Sequence, residues 1–284
     1  MSTVSRRKFF QLTAAGIPAM AIYPNNKRAL PEETNPGVKI TAVKRYVFRK
    51  ATFVKIETDA GVSGWGEADH DYPKLTAAVI DEICDKELMG QDPFQSEYLW
   101  MQVFFKGEDA GSTGLLPGAL AGVDNALWDL KGKLLHVPVY KLLGGNNVEK
   151  IKVYGSFGRG GGVSGQRNSN EMAREAVRFA EMGYTTIKAR MQIRQLNVDP
   201  DPDETFQIVK AVRKAIGDDI TLYIDFNNGY TPAKAITMIK KLQEHFNIAA
   251  IEEPVSYHNY PGLRQVVEAV DIPVMAGEHE FNKW

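Results

Sequence analysis

Cysteine is almost absent from this 284-residue chain: Cys84 stands alone, so no internal disulfide can form and no cysteine-based zinc cluster can be assembled. Neither sign of charge is in excess. Thirty-four Lys plus Arg face 35 Asp plus Glu for a formal net charge of -1, which supplies neither the basic field that nucleic acid requires nor an acidic surface for a cationic partner. Long apolar runs are missing too, and the mildly apolar stretch Leu12 to Tyr23 falls short of the roughly 20 residues a membrane span needs. What is present, 44% hydrophobic, 10% aromatic and 24% charged residues, is the make-up of a globular protein with one large or two modest cores. The expected partner is a small molecule, and Cys84 reads as a small buried apolar side chain.

The first residues stand apart. Ser5-Arg6-Arg7-Lys8-Phe9-Phe10 resembles a twin-arginine export signature, and Ala19-Met20-Ala21 suits a signal peptidase. Residues 1–37 are therefore expected to be a signal and linker, with export to the periplasm and no stable membrane insertion; a cytoplasmic location is the alternative.

Residues 38–145 read as a first domain of strands followed by helices. Ile40 to Arg49, Thr52 to Thr58 and Gly64 to Ala68 predict a three-stranded antiparallel meander turning at Asp59-Ala60-Gly61. Helical spacing begins at Lys74, with Leu75, Val79, Ile80 and Ile83 on one stripe, and a long helix is expected from Pro117 to Leu135. Trp65 and Trp128 are expected in cores. His70, Asp71 and Tyr72 fall on a loop placed to touch substrate.

Residues 146–284 alternate differently. Strand-like runs at Ile151 to Phe157, Thr186 to Arg190, Thr221 to Asn227, Ala249 to Glu252 and Pro273 to Gly277 are separated by helical segments at Glu171 to Met182, Asp203 to Ile216, Pro232 to His245 and Leu263 to Val270. Asp201 is a candidate N-cap for the second helix, with Pro202 in its first turn and Glu204 three residues on. Strand, helix, strand at this spacing predicts parallel βαβ units, in a (β/α)8 barrel or an open doubly wound sheet.

Three acids close successive strands: Asp225 after Leu222-Tyr223-Ile224, Glu252 after Ala249-Ala250-Ile251, and Glu278 after Val274-Met275-Ala276-Gly277, spaced by 27 and 26 residues. A parallel barrel exposes its active site at that end of its strands. Carboxylates gathered in a partly dry pocket repel one another, so a cation is expected to keep them ionised, and an all-oxygen set suits Mg2+. One unit upstream, Lys188 and Arg190 share a strand face, as Asp225 and Asn227 would. Such a pocket can hold a carboxylate substrate, stabilise charge developing on its oxygens and acidify its α-proton.

The run GALAGVDNALWDLKGKLLHVPVYKLLGG from Gly118 to Gly145 resembles the capping-domain signature of the mandelate racemase and muconate lactonizing family of the enolase superfamily. Asp225-Phe226-Asn227, Ile251-Glu252-Glu253-Pro254 and Gly277-Glu278-His279 resemble its three metal-ligand strands in order and spacing. The resemblance implies an α+β capping domain followed by a (β/α)8 TIM-type barrel, Asp225, Glu252 and Glu278 as magnesium ligands, and Lys188 at the start of the family's Lys-x-Lys element. Arg190 departs from that element: a guanidinium stays protonated near neutral pH, so it clamps a carboxylate better than it takes a proton. Members of this kind resemble sugar-acid dehydratases of the rhamnonate type, whose base is a histidine–aspartate pair on later strands. His279 is then a candidate for substrate contact or for the acid, although its strand phase opposes that of Glu278. Asn227 is a candidate substrate contact.

The implied activity is a hydro-lyase acting on an aldonate, with a racemase or cycloisomerase of the same family, or an inactive remnant, as alternatives. A full-length form is expected to be a homo-oligomer. Ile151 to Trp284 is only 134 residues against the about 250 of a complete barrel, so about five of eight strands are expected and the barrel reads as incomplete. The glycines of Gly158-Arg159-Gly160-Gly161-Gly162 suit a loop over the mouth better than a phosphate cradle. Asp199, Asp201 and Asp203 are interrupted by two prolines, which excludes a calcium loop.

Overall fold

The computed structural model describes residues 37–283 apart from 70, 147, 159–167, 192 and 194–196. The export-like segment, His70 and the glycine loop from Arg159 to Gly162 lie outside the described residues. Among those described, no helix is long and apolar enough to cross a membrane.

The N-terminal unit is an antiparallel sheet, β1 (Ile40–Phe48), β2 (Ala51–Thr58) and β3 (Ser63–Ala68), in the order β1-β2-β3. β2 alternates strictly, sending Thr52, Val54, Ile56 and Thr58 into the interior, as a sheet with one covered face requires. Helices α1 (Pro73–Val79), α2 (Ser96–Gly107) and α3 (Leu115–Leu134) cover that face, and α1 runs on through a π turn at Ile80–Cys84. Val54, Ile56, Ile80, Cys84, Leu99, Val103, Leu120, Val123 and Leu127 share this core. β3 lies almost on the backbone of α3: a Cβ at Gly64 or Gly66 would drive into the carbonyl oxygens of Ala126 and Gly122. Glycine is required there by proximity rather than by dihedral freedom.

The C-terminal unit is a parallel sheet of five strands in sequential order, β4 (Gly155–Phe157), β5 (Thr186–Arg190), β6 (Thr221–Asp225), β7 (Ala250–Glu252) and β8 (Val274–Met275). The crossovers contain α4 (Ser169–Glu181), α5 (Thr205–Ile216), α6 (Pro232–His245) and α7 (Tyr260–Ala269). Ile187, Ala189, Leu222, Ile224 and Ile251 point to the helices and form one core with Ala176, Val209, Val212, Ile239, Leu242 and Val266.

Four expectations change. β4 begins at Gly155 rather than Ile151, because its partner β5 starts at Thr186 and Gly155 already pairs with Ile187; Ile151 and Val153, with nothing to pair with, are exposed. Asp201 does not cap α5. The Asp203 carboxylate accepts the Thr205 N–H at 3.1 Å, and the helix starts two residues later than expected. Trp65 is exposed on the outer sheet face against Tyr46, since the alternation that buries Gly64 and Gly66 turns it outward. Trp128 is half-buried, with the Lys131 ammonium over its ring.

Candidate functional site

Parallel register sets Arg190, Asp225, Glu252 and Met275 in one row across β5 to β8. Because alternate side chains of β5 and β6 go to the helix-covered core, Lys188, Arg190, Tyr223 and Asp225 share the opposite face. Lys188 Nζ lies 2.5 Å from Glu252 Oε2 and 3.4 Å from Asp225 Oδ2, and Arg190 Nε lies 3.3 Å from Asp225 Oδ2. Lys188 and Asp225 are buried. Burial raises the pKa of Asp225, opposed by Lys188, the Asn227 N–H and Arg190. Desolvation also works against the charge of Lys188, but the hydrogen bond to Glu252 and the charges of Asp225 and Glu252 together prevail and raise its pKa. The lysine is thereby held as an ammonium.

Strand geometry ends just past this row. The Asn227 N–H donates to Asp225 Oδ1 at 2.9 Å, and Asn227 and Asn228 both take positive φ, so Asn227 does not continue the alternation that would align it with Asp225. Beyond Met275, Gly277 at φ 108° turns the chain. The expected opposition of Glu278 and His279 therefore fails: His279 Nε2 stands 3.6 Å from Glu278 Oε1. The same nitrogen lies 3.5 Å from Glu253 Oε1, and its ring stacks on Tyr257 at 4.0 Å between centroids.

Glu253 is the residue that sequence reasoning passed over. Pleat alternation would send it away from Glu252, but φ of 44° swings it back to the mouth, and the only hint was its place inside the quoted Glu-Glu-Pro motif. Asn228 Nδ2 donates to Glu253 Oε2 at 2.6 Å, while Oε1 is buried without a hydrogen bond. Burial first, then the negative charges of Glu278, Asp225 and Glu252, push the Glu253 carboxyl up to about 7.

The structure thus brings Asp225 and Glu252 together with Lys188 and Arg190, and sets Glu278, which is largely exposed, beside His279 and Glu253. Among the described residues, the ligand atoms that gather within 4.8 Å of one another are those of Glu253, Glu278 and His279, rather than the trio Asp225, Glu252 and Glu278. Four mutually repelling carboxylates and two cations, with Asp225 Oδ2 and Glu253 Oε1 both buried and lacking a hydrogen bond, fit a divalent cation that prefers oxygen. His279 opens into a cleft of about 820 Å3 between the two units, lined also by Phe104, Phe105, Tyr257 and Phe281. Asn282 Nδ2 ties the units together by donating to the Ser112 carbonyl.

Comparison with known proteins bears on this arrangement. Residues 31–144 match the N-terminal domain of mandelate racemase and muconate lactonizing enzymes, and residues 171–284 match the enolase C-terminal domain-like family. A D-galactonate dehydratase of Pectobacterium atrosepticum is 33% identical over 251 residues, 87% of this chain and 63% of that protein. A D-galactarolactone cycloisomerase of Agrobacterium fabrum is 36% identical over 240 residues, 84% of this chain and 60% of that protein. The crystal structure of a mandelate racemase/muconate lactonizing protein from Paracoccus denitrificans, complexed with magnesium, superposes with a TM-score of 0.79 at 30% identity, covering 86% of this chain and 66% of that one. This chain spans about three-fifths of the length of the curated relatives it matches. With both domain matches in order and the strand-end acids in register, the chain belongs to the mandelate racemase and muconate lactonizing enzyme family of the enolase superfamily.

Proposed function

We propose that this chain carries the metal-binding side of a magnesium-dependent active site that removes the proton α to a carboxylate, and that the substrate is a sugar acid which then loses water. The observation that carries the reading is the contact of Lys188 with both Asp225 and Glu252 at the ends of consecutive strands, a buried cluster that a structural role does not require. The dehydratase relative supports the substrate class.

Asp225, Glu252 and Glu278 would hold magnesium. Once bound, the ion would polarise the substrate carboxylate and make its α-proton more acidic. Arg190 presents a planar guanidinium fork, which suits a carboxylate clamp rather than a base, and Lys188 stands beside it; both clamp the substrate carboxylate and offset charge growing on its oxygens. The resemblance assigns the base to a histidine–aspartate pair on later strands. His279, which lines the cleft, would protonate the departing hydroxyl, and Asn227, next to the Asp225 strand end, would contact substrate. Residues 5–10 carry the export proposal, which a reporter fused to residues 1–40 tests by reaching the periplasm or remaining in the cytoplasm.

A cycloisomerase is the second reading, favoured by the galactarolactone relative. Both begin with the same proton abstraction. Calorimetric Mg2+ titration comes first, with binding expected for the wild type and weakened binding for Glu252→Gln; equal binding by the two sinks the metal assignment. Incubation with a panel of aldonic acids follows. A 2-keto product formed with loss of water marks the dehydratase, and an isomerised product of unchanged mass overturns it.

A further inference from the structure

Glu253, Glu278 and His279 form a second cluster that shares Glu278 with the proposed magnesium ligands but differs from them in chemistry. His279 adds an imidazole nitrogen, which a hard ion such as magnesium seldom takes and which zinc and its neighbours prefer. The spacing around His279 also suits such an ion. His279 Nε2 lies 3.5 Å from Glu253 Oε1 and 3.6 Å from Glu278 Oε1. Bonds of about 2.0–2.1 Å at tetrahedral angles put ligand atoms about 3.3–3.4 Å apart. The same bond lengths in an octahedron would require neighbours only about 2.9 Å apart.

The cluster is also built rather than merely acidic. Glu253 is only 4% exposed, Asn228 fixes one of its oxygens, and the other, Oε1, is buried without a hydrogen bond and aimed at the imidazole. Tyr257, stacked on His279 at an interplanar angle of 25°, fixes the plane of the ring and hence the direction of Nε2. A carboxylate oriented by an amide, a ring oriented by stacking and a more exposed second carboxylate make a three-ligand site at the edge of the cleft that His279 lines.

We propose that Glu253, Glu278 and His279 form a tetrahedral site for zinc or a similar transition metal, overlapping the oxygen-only set at Glu278. The site rests on the proposed function only in sharing Glu278 and His279 with it, so zinc and magnesium compete for Glu278 and zinc-bound His279 carries no proton to a substrate. Zinc is accordingly an antagonist of the proposed reaction.

Zn2+ binding to the full chain, measured against a chromophoric chelator, tests this. One zinc per chain is expected. His279→Gln should weaken it by at least the roughly 10–100-fold that losing an outer-sphere partner costs, while Asp225→Asn should bind zinc like the wild type. Co2+ should give the intense visible bands of four-coordinate cobalt in the wild type and lose them in His279→Gln. His279 is partly exposed, so that variant is expected to fold, and its thermal midpoint verifies this. Unchanged zinc affinity in His279→Gln, or a loss in Asp225→Asn as large as in His279→Gln, overturns the proposal, the latter by placing zinc among the other ligands. Failure of magnesium to bind while zinc behaves as described defeats the magnesium reading and leaves this one standing.

Discussion

Lys188 reaches across a whole strand: its ammonium lies 2.5 Å from the Glu252 carboxylate on β7 while standing 3.4 Å from Asp225 on the intervening β6. One cation therefore offsets part of the repulsion between two acids at the sheet's C-terminal edge. Replacing it by Gln leaves the buried Asp225 and the partly buried Glu252 without that partner, which costs about 3–5 kcal/mol in the metal-free protein. Saturating Mg2+ is expected to restore much of the loss, because the ion takes over the neutralisation. Denaturant unfolding with and without Mg2+ measures both effects, and a metal-independent stability equal to the wild type contradicts the pairing.

The row of charges was readable before the fold because it depends on two periods only. Alternation along a strand and the roughly constant length of a βαβ unit put Lys188, Arg190, Asp225 and Glu252 on one face and at one end, as found. The same reasoning failed where the strands stop. Asn227, Glu253 and Gly277 have positive φ, and once a chain turns through that region pleat parity carries no information; alternation therefore gives no role to Glu253 and wrongly sets His279 opposite Glu278. β4 was overextended for a related reason: an apolar run shows what could pair, and not where its partner begins.

Gly66→Ala should damage the N-terminal unit although it adds a single methyl group. That methyl would collide with the Gly122 carbonyl on α3, and backbone on both sides leaves no flexible side chain to yield. A cost of roughly 1–3 kcal/mol is expected from overpacking of this kind. Thermal unfolding checks it, with Gly61→Ala as the contrast: nothing lies within 4 Å of that position, so the strain there comes from its positive φ alone.

Arg213 holds the turn between α5 and β6 in place. Its Nη1 donates to the carbonyls of Gly217 at 2.6 Å and Ile220 at 2.8 Å, and Nη2 donates to the carbonyl of Asn247, so one guanidinium ties the turn to the loop before β7. Lysine lacks the planar fork that reaches three acceptors at once. Arg213→Lys should therefore destabilise the chain by about 1–3 kcal/mol, the cost of a buried acceptor left unmatched. Amide exchange at 217–221 should quicken if the turn loosens; unchanged exchange would assign the arginine a packing role only.

Cys84 gives the chain a measurable response to alkaline pH. It is fully buried under α1 and the meander, and desolvation pushes its thiol up to about 12 from a reference of 9.0. The folded state thus keeps a proton that the unfolded chain releases near pH 9. Its contribution to stability is complete below that pH and is lost as pH rises from about 9 toward 12. In that window the unfolding free energy of the wild type should fall more steeply than that of Cys84→Ala, by up to about 1.4 kcal/mol per pH unit. At pH 8 the native thiol should ignore Ellman's reagent and react only on unfolding. Rapid labelling of the native chain, or parallel pH profiles for the two proteins, would show that the thiol is not shielded as its position between Ile80 and Leu88 implies.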